Sequence, residues 1–131
     1  MIIDSLQIKN VKFEYSVNVW NVGKGKKILE PDLFVTISSS EFDKEDMELY
    51  GEDVQEFLKV LKGEREDFHT EDIDELCVRV FGIENYGDEV EIYIELPCSD
   101  EFYEATLTRE EAEKVAKWLE NLLNKTQKEN A

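Results

Sequence analysis

The sequence predicts an α+β domain, an antiparallel sheet of about six strands carrying one short central helix and one longer C-terminal helix. Three observations predict it. Apolar and polar residues alternate through most of the first 40 positions and again from Leu76 to Leu107, which is the period of half-buried strands. The period lengthens to that of a helix twice, once around Val54–Leu61 and once after Thr108. Strands that neighbour one another in sequence pair antiparallel, which separates this class from a doubly wound α/β sheet.

The elements follow in order. A short strand is expected over Ile2–Ile8, and a longer one where Val11, Phe13, Tyr15, Val17 and Val19 alternate with Lys12, Glu14, Ser16 and Asn18. The segment Asn21-Val22-Gly23-Lys24-Gly25-Lys26-Lys27 is a turn or loop. Leu33, Val35 and Ile37 mark a third strand. Val54, Phe57, Leu58 and Leu61 form the apolar stripe of the central helix, with Gly63 placed to end it. Glu64–Asp74 is expected to be a surface loop. Leu76, Val78 and Val80 and then Val90, Ile92, Ile94 and Leu96 make a hairpin across the Asn85-Tyr86-Gly87-Asp88 turn, and a last strand runs from about Phe102 to Leu107. Thr108-Arg109-Glu110-Glu111 is a capping box, followed by Ala112, Val115, Ala116, Leu119, Leu122 and Leu123 on one helix face and Trp118 at its edge.

At 131 residues the chain suits one domain, expected over residues 1–124. Residues 125–131 carry no apolar side chain larger than Ala and are expected to form a disordered tail. No internal repeat and no domain boundary stand out. Met1-Ile2-Ile3-Asp4 lacks the basic start of a signal peptide, and no apolar run approaches the roughly 18 residues of a membrane span. With no export signal, Cys77 and Cys98 read as two separate buried thiols. The expected location is therefore cytoplasmic.

Charge is unevenly spread. Residues 41–75 hold 15 Asp or Glu against four Lys or Arg, a net of −11 within a total of −17. A field of that sign repels nucleic acid and anionic membranes and attracts basic surfaces. Glu41, Asp43, Glu45, Asp46, Glu66, Asp67, Glu71, Asp72 and Asp74 are the candidate partner-binding residues, and Phe42, Met47, Tyr50 and Phe68 among them are either apolar anchors or side chains that turn inward. The implied partner is a basic protein, with no nucleic acid and no membrane involved, and the chain itself a monomer or weak homodimer.

No catalytic constellation accompanies the charge. His69 is the single histidine and lies among acids, without a neighbouring nucleophile motif. Zinc requires converging Cys and His, and Glu41-Phe42-Asp43-Lys44-Glu45-Asp46 lacks the spacing of a calcium loop. Gly23-Lys24-Gly25-Lys26-Lys27 lacks the strand–loop–helix setting of a phosphate cradle. Neither a metal, a cofactor nor an enzyme activity is expected.

The arrangement resembles the WapI-like immunity proteins of bacterial polymorphic-toxin systems. The features that carry the likeness are the early strand ending Val17-Asn18-Val19-Trp20, the short helix Val54–Gly63 and the acidic segment after it. The pair Leu76-Cys77-Val78-Arg79-Val80 and Glu91-Ile92-Tyr93-Ile94-Glu95-Leu96 and the closing helix Glu110–Leu123 complete it. The resemblance implies a non-enzymatic, stoichiometric inhibitor that binds and blocks a basic toxin domain. The alternatives are a small ligand- or metal-binding domain, or minor enzyme, built on a surface carboxylate cluster, and an oligomer paired through a strand edge.

Overall fold

The computed structural model describes residues 2–73 and 77–130. Its elements are β1 (Ile2–Ile8), β2 (Val11–Asn21), β3 (Lys27–Ser38), β4 (Lys44–Tyr50), α1 (Glu52–Leu61), β5 (Asp67–Ile73), β6 (Val78–Asn85), β7 (Glu89–Leu96), β8 (Glu101–Thr108) and α2 (Arg109–Asn130). They form two four-stranded antiparallel sheets in simple meander order, β1-β2-β3-β4 and β5-β6-β7-β8. The α+β class and the antiparallel pairing hold, but the single six-stranded sheet is corrected to two sheets of four. The order of four strands and a helix occurs twice, a repeat of topology without a repeat of sequence.

The two strands that the alternation does not reveal are β4 and β5. Both are edge strands with acidic outer positions. Only Met47 and Leu49 of β4 and Phe68 of β5 are buried, so the apolar signal is too sparse to mark a strand. The expected loop at 64–74 is therefore mostly strand β5, while Asp74 and Leu76 lie outside the described residues.

Each sheet buries one face. Phe13, Tyr15, Leu33, Val35 and Ile37 point inward from the first sheet, and Phe81, Ile83, Ile92, Ile94 and Leu107 from the second. The helices fill the space between: α1 packs on β3, β4, β5 and β6, and α2 on β2, β3, β7 and β8. Phe57 sits near the middle, its ring 6.1 Å from Phe13 of one sheet and 5.8 Å from Phe81 of the other. On the opposite face of each sheet most described side chains are exposed or half-buried, Ser16 and Asp32 excepted.

Local chemistry sets the helix ends. Glu64 N–H donates to Lys59 C=O and Gly63 N–H to Val60 C=O, with Gly63 at φ 78°, which is the Schellman closure of α1. The capping box opens α2: Glu111 N–H donates to Thr108 Oγ1 at 3.1 Å, and Thr108 N–H to Glu111 Oε1 at 2.9 Å.

Two further expectations change. Residues 125–130 are the last turns of α2 rather than a disordered tail. Thr126 is buried against Tyr15, with Oγ1 and the phenol oxygen 2.7 Å apart, and Asn130 bonds both backbone groups of Leu29. The helix end is held by polar tertiary contacts that hydropathy does not register. Cys77 and Cys98 form a disulfide, with Cα atoms 5.8 Å apart, in place of two separate thiols. The β6–β7 register, in which Val80 lies opposite Glu95, carries on to set position 77 opposite position 98. Disulfides persist in oxidising surroundings, so this pairing removes one ground for expecting a cytoplasmic protein. No helix among the described residues is long and apolar enough to cross a membrane.

Candidate functional site

The outer face of the second sheet concentrates acid. Its register aligns Asp67, Glu84, Glu91 and Thr106 in one row, His69, Gly82, Tyr93 and Glu104 in the next, and Glu71, Val80, Glu95 and Phe102 in a third. Period-two alternation puts these side chains outward while Phe68, Phe81, Ile83, Ile92, Ile94, Tyr103 and Ala105 enter the core. Six carboxylates thus share one open sheet face. Among the described residues none of the six forms an ion pair with Lys or Arg, and His69 Nε2 lies 3.6 Å from Glu84.

An aromatic strip crosses the same face. Gly82 makes it possible, because a Cβ there would overlap the Tyr93 ring, which lies across the glycine. Tyr93 stacks on Phe102 at 5.6 Å with 27° between planes, and its other side meets His69 at 6.1 Å. The strip is an aromatic surface bordered by Glu.

The electrostatics register the crowding. Burial holds the Glu91 carboxyl above its ordinary range, and the charges of Glu104, Glu84 and Glu89 push it the same way. The Tyr93 phenol is raised by burial and then by Glu84, Glu95, Glu91 and Asp67. Tyr86 donates its hydroxyl to Glu84, which pushes that phenol up to about 12. Glu84 and Glu91 are directly opposite in the β6–β7 register, and like charges so placed destabilise a sheet.

A second acidic zone lies where the edges of the two sheets approach. Arg79 of β6 spans it, with Nη1 donating to Glu45 Oε1 at 3.1 Å and to Asp46 C=O at 2.9 Å, and Nη2 to Asp72 Oδ2 at 2.8 Å. Beside it is a cleft of about 220 Å³ whose carboxylates are Glu48, Asp53, Glu71 and Asp72. Burial, then Glu52 and Glu56, raises the Asp53 carboxyl.

The sequence-derived candidates divide among these places. Asp67 and Glu71 lie on the acidic face, while Arg79 gathers Glu45, Asp46 and Asp72. Glu66 is exposed just before β5, close to Asp67 and Glu84. Glu41 and Asp43 sit apart in the exposed β3–β4 loop, and Asp74 lies outside the described residues. Of the expected anchors, Met47 and Phe68 are core, Phe42 packs half-buried on Tyr103, and Tyr50 is exposed. Glu84, Glu91, Glu95, Glu104, Tyr93 and Phe102 are missed by a linear charge count, since they come from three different strands. The signal was present in the Glu89, Glu91, Tyr93, Glu95 alternation, whose polar members must share one face.

No family model matches the chain, and no curated protein matches its sequence. Chemistry must therefore speak from the site. Among the described residues no three His, Cys, Asp or Glu side chains converge to hold a metal ion. What the face offers is spread negative charge around an aromatic surface, which attracts cations and stacks planar ones, above all the guanidinium of Arg.

Proposed function

We propose that this chain is a protein-binding domain whose acidic sheet face takes up a basic partner, and that it serves as an immunity protein which blocks a basic toxin domain. One observation carries the reading. Six carboxylates share the outer face of β5–β8 without a Lys or Arg partner among the described residues, and two of them, Glu84 and Glu91, oppose each other directly. Crowding of this kind costs stability in the free protein, and a basic partner relieves it. Complementary charge would speed encounter and reject wrong partners, and Tyr93 and Phe102 supply the apolar contact that charge alone lacks. The cleft beside Arg79 lies on the β5 side of this face and extends the acidic surface toward β4.

The test is capture from a lysate of the source organism on immobilised wild type and on a Glu84→Lys, Glu91→Lys, Glu104→Lys triple variant. Wild type should retain one basic protein at near-equal stoichiometry, released by salt, and the variant should not. Equal retention on both would overturn the assignment to this face. Loss of the captured protein's activity in the complex then tests the inhibitory role.

A further inference from the structure

The β2–β3 hairpin outruns its sheet. Among the described residues β1 pairs with β2 no further than Ser16, and β4 with β3 no further than Asp32, so there residues 17–21 and 27–31 pair as strands only with each other. The arm is anchored midway by Asn130, whose side-chain amide accepts from Leu29 N–H and donates to Leu29 C=O, both at 2.8 Å. Its outer half is bare. Trp20 is 56% exposed and lies opposite Ile28, which is 49% exposed, with Val19 and Val22 equally open. The turn adds Lys24, Lys26 and Lys27, and no acid occurs between Val19 and Leu29. None of the three lysines pairs with a carboxylate among the described residues. In a chain of net charge −17 this is a cationic, apolar projection.

We propose that the arm docks on the acidic aromatic face of a second copy of the chain. The two surfaces are complementary in both charge and apolar character. Three lysines meet a face with six carboxylates, and Trp20 and Ile28 meet the strip of Tyr93 and Phe102. Length resolves the apparent conflict with the net charge. Beyond the Leu29 anchor about three residues of extended strand project the tip by roughly 10 Å, slightly more than the Debye length of about 8 Å at physiological ionic strength. At arm's length the repulsion between the two acidic bodies is screened, while the charges in contact at the tip are not. The contact is small beside the roughly 1,200 Å² or more of a stable interface, so association is expected to be weak and concentration-dependent. An arm seated on the face would compete with the basic partner proposed above. In that respect the inference rests on the same face being a binding surface.

Sedimentation equilibrium on the full chain from 10 µM to about 1 mM tests this, using two charge-reversed variants. One carries Lys24→Glu, Lys26→Glu and Lys27→Glu on the arm, and the other carries Glu84→Lys, Glu91→Lys and Glu104→Lys on the face. Wild type should associate with rising concentration, as a dimer if two arms exchange reciprocally or as larger species if the contact runs on. Each variant alone should remain monomeric, and the two mixed should associate again, since the reversed arm then meets the introduced lysines and the native arm meets the native face. That rescue also shows that the variants fold. A wild type monomeric throughout, or variants that associate as wild type does, overturns the proposal. Binding of an oligolysine peptide to the face separates the two readings. A monomeric chain that still binds the peptide overturns arm docking alone, whereas a self-associating chain whose arm-reversed variant, its face left free, does not bind it supports the arm contact and removes the basic-partner reading.

Discussion

Asp32 should make this protein less stable as pH rises, and Asp32→Asn should relieve it. The residue is on β3 with 3% of its surface exposed. Asn18 Nδ2 donates to Oδ2 at 3.3 Å, and Oδ1 has no hydrogen-bond partner among the described residues. Burial first, and then the neighbouring carboxyl of Glu48, raise its carboxyl to about 7. A folded pKa above the unfolded value near 3.9 means that folding takes up a proton between those pH values. Stability then declines with rising pH, by up to about 1.4 kcal/mol per unit, until pH passes the folded pKa. Between pH 5 and 8 the full linkage is about 2–3 kcal/mol. Because Glu48 shares the proton and the site can relax, about 1–2 kcal/mol of this is the expected effect. Asn has the same shape and no proton to lose; its carbonyl can accept from Asn18 and its amide can donate to Glu48. Urea unfolding at pH 5, 6, 7 and 8 measures the difference between wild type and variant, in which the general charge repulsion of the chain cancels. The variant should match wild type near pH 5 and exceed it at pH 8. A difference that does not change with pH, or a variant less stable at pH 8, would refute the reasoning.

Gly82→Ala should move the Tyr93 ring off the sheet, because the new Cβ overlaps it. Strand propensity offsets part of the lost packing, so urea unfolding should register less than about 1 kcal/mol, while binding of a basic peptide to the face weakens several-fold. Glu84→Gln with Glu91→Gln should stabilise the protein by about 0.5–1 kcal/mol at low ionic strength, with the gain shrinking in salt and the affinity for basic peptides falling; a variant less stable than wild type at low salt would contradict the crowding. Reducing the Cys77–Cys98 bridge, which spans a sequence separation of 21, should lower stability by about 2–3 kcal/mol. Thermal melts with and without reductant would show it, and unchanged melts would rule it out.

Much of the second sheet was legible because the hairpin β6–β7 combines strict alternation with an unmistakable turn at Asn85–Asp88. The same turn could have been extended to pair Cys77 with Cys98, since register in a hairpin is set at its loop. β4 and β5 were not legible. An edge strand shields few side chains, so Lys44–Tyr50 and Asp67–Ile73 carry charge where a central strand carries Val or Ile. The linear charge run 41–75 contains Asp67 and Glu71 of the acidic face but not Glu84, Glu91, Glu95 or Glu104, because a sheet face collects alternate residues from several strands.

The order and period of side chains by themselves determined that this chain is α+β with antiparallel pairing, where α2 begins, and that its surface is acidic. These properties are local, arising from a capping box, an alternation or a composition. Tertiary structure alone decided that the strands divide into two sheets, that residues 125–130 stay helical through Thr126 and Asn130, and that Glu84, Glu91, Glu95 and Glu104 crowd onto one face with Tyr93 and Phe102. Each of these depends on which distant segments become neighbours. That is set by the joint packing of both sheets on the two helices, and no window of sequence contains it.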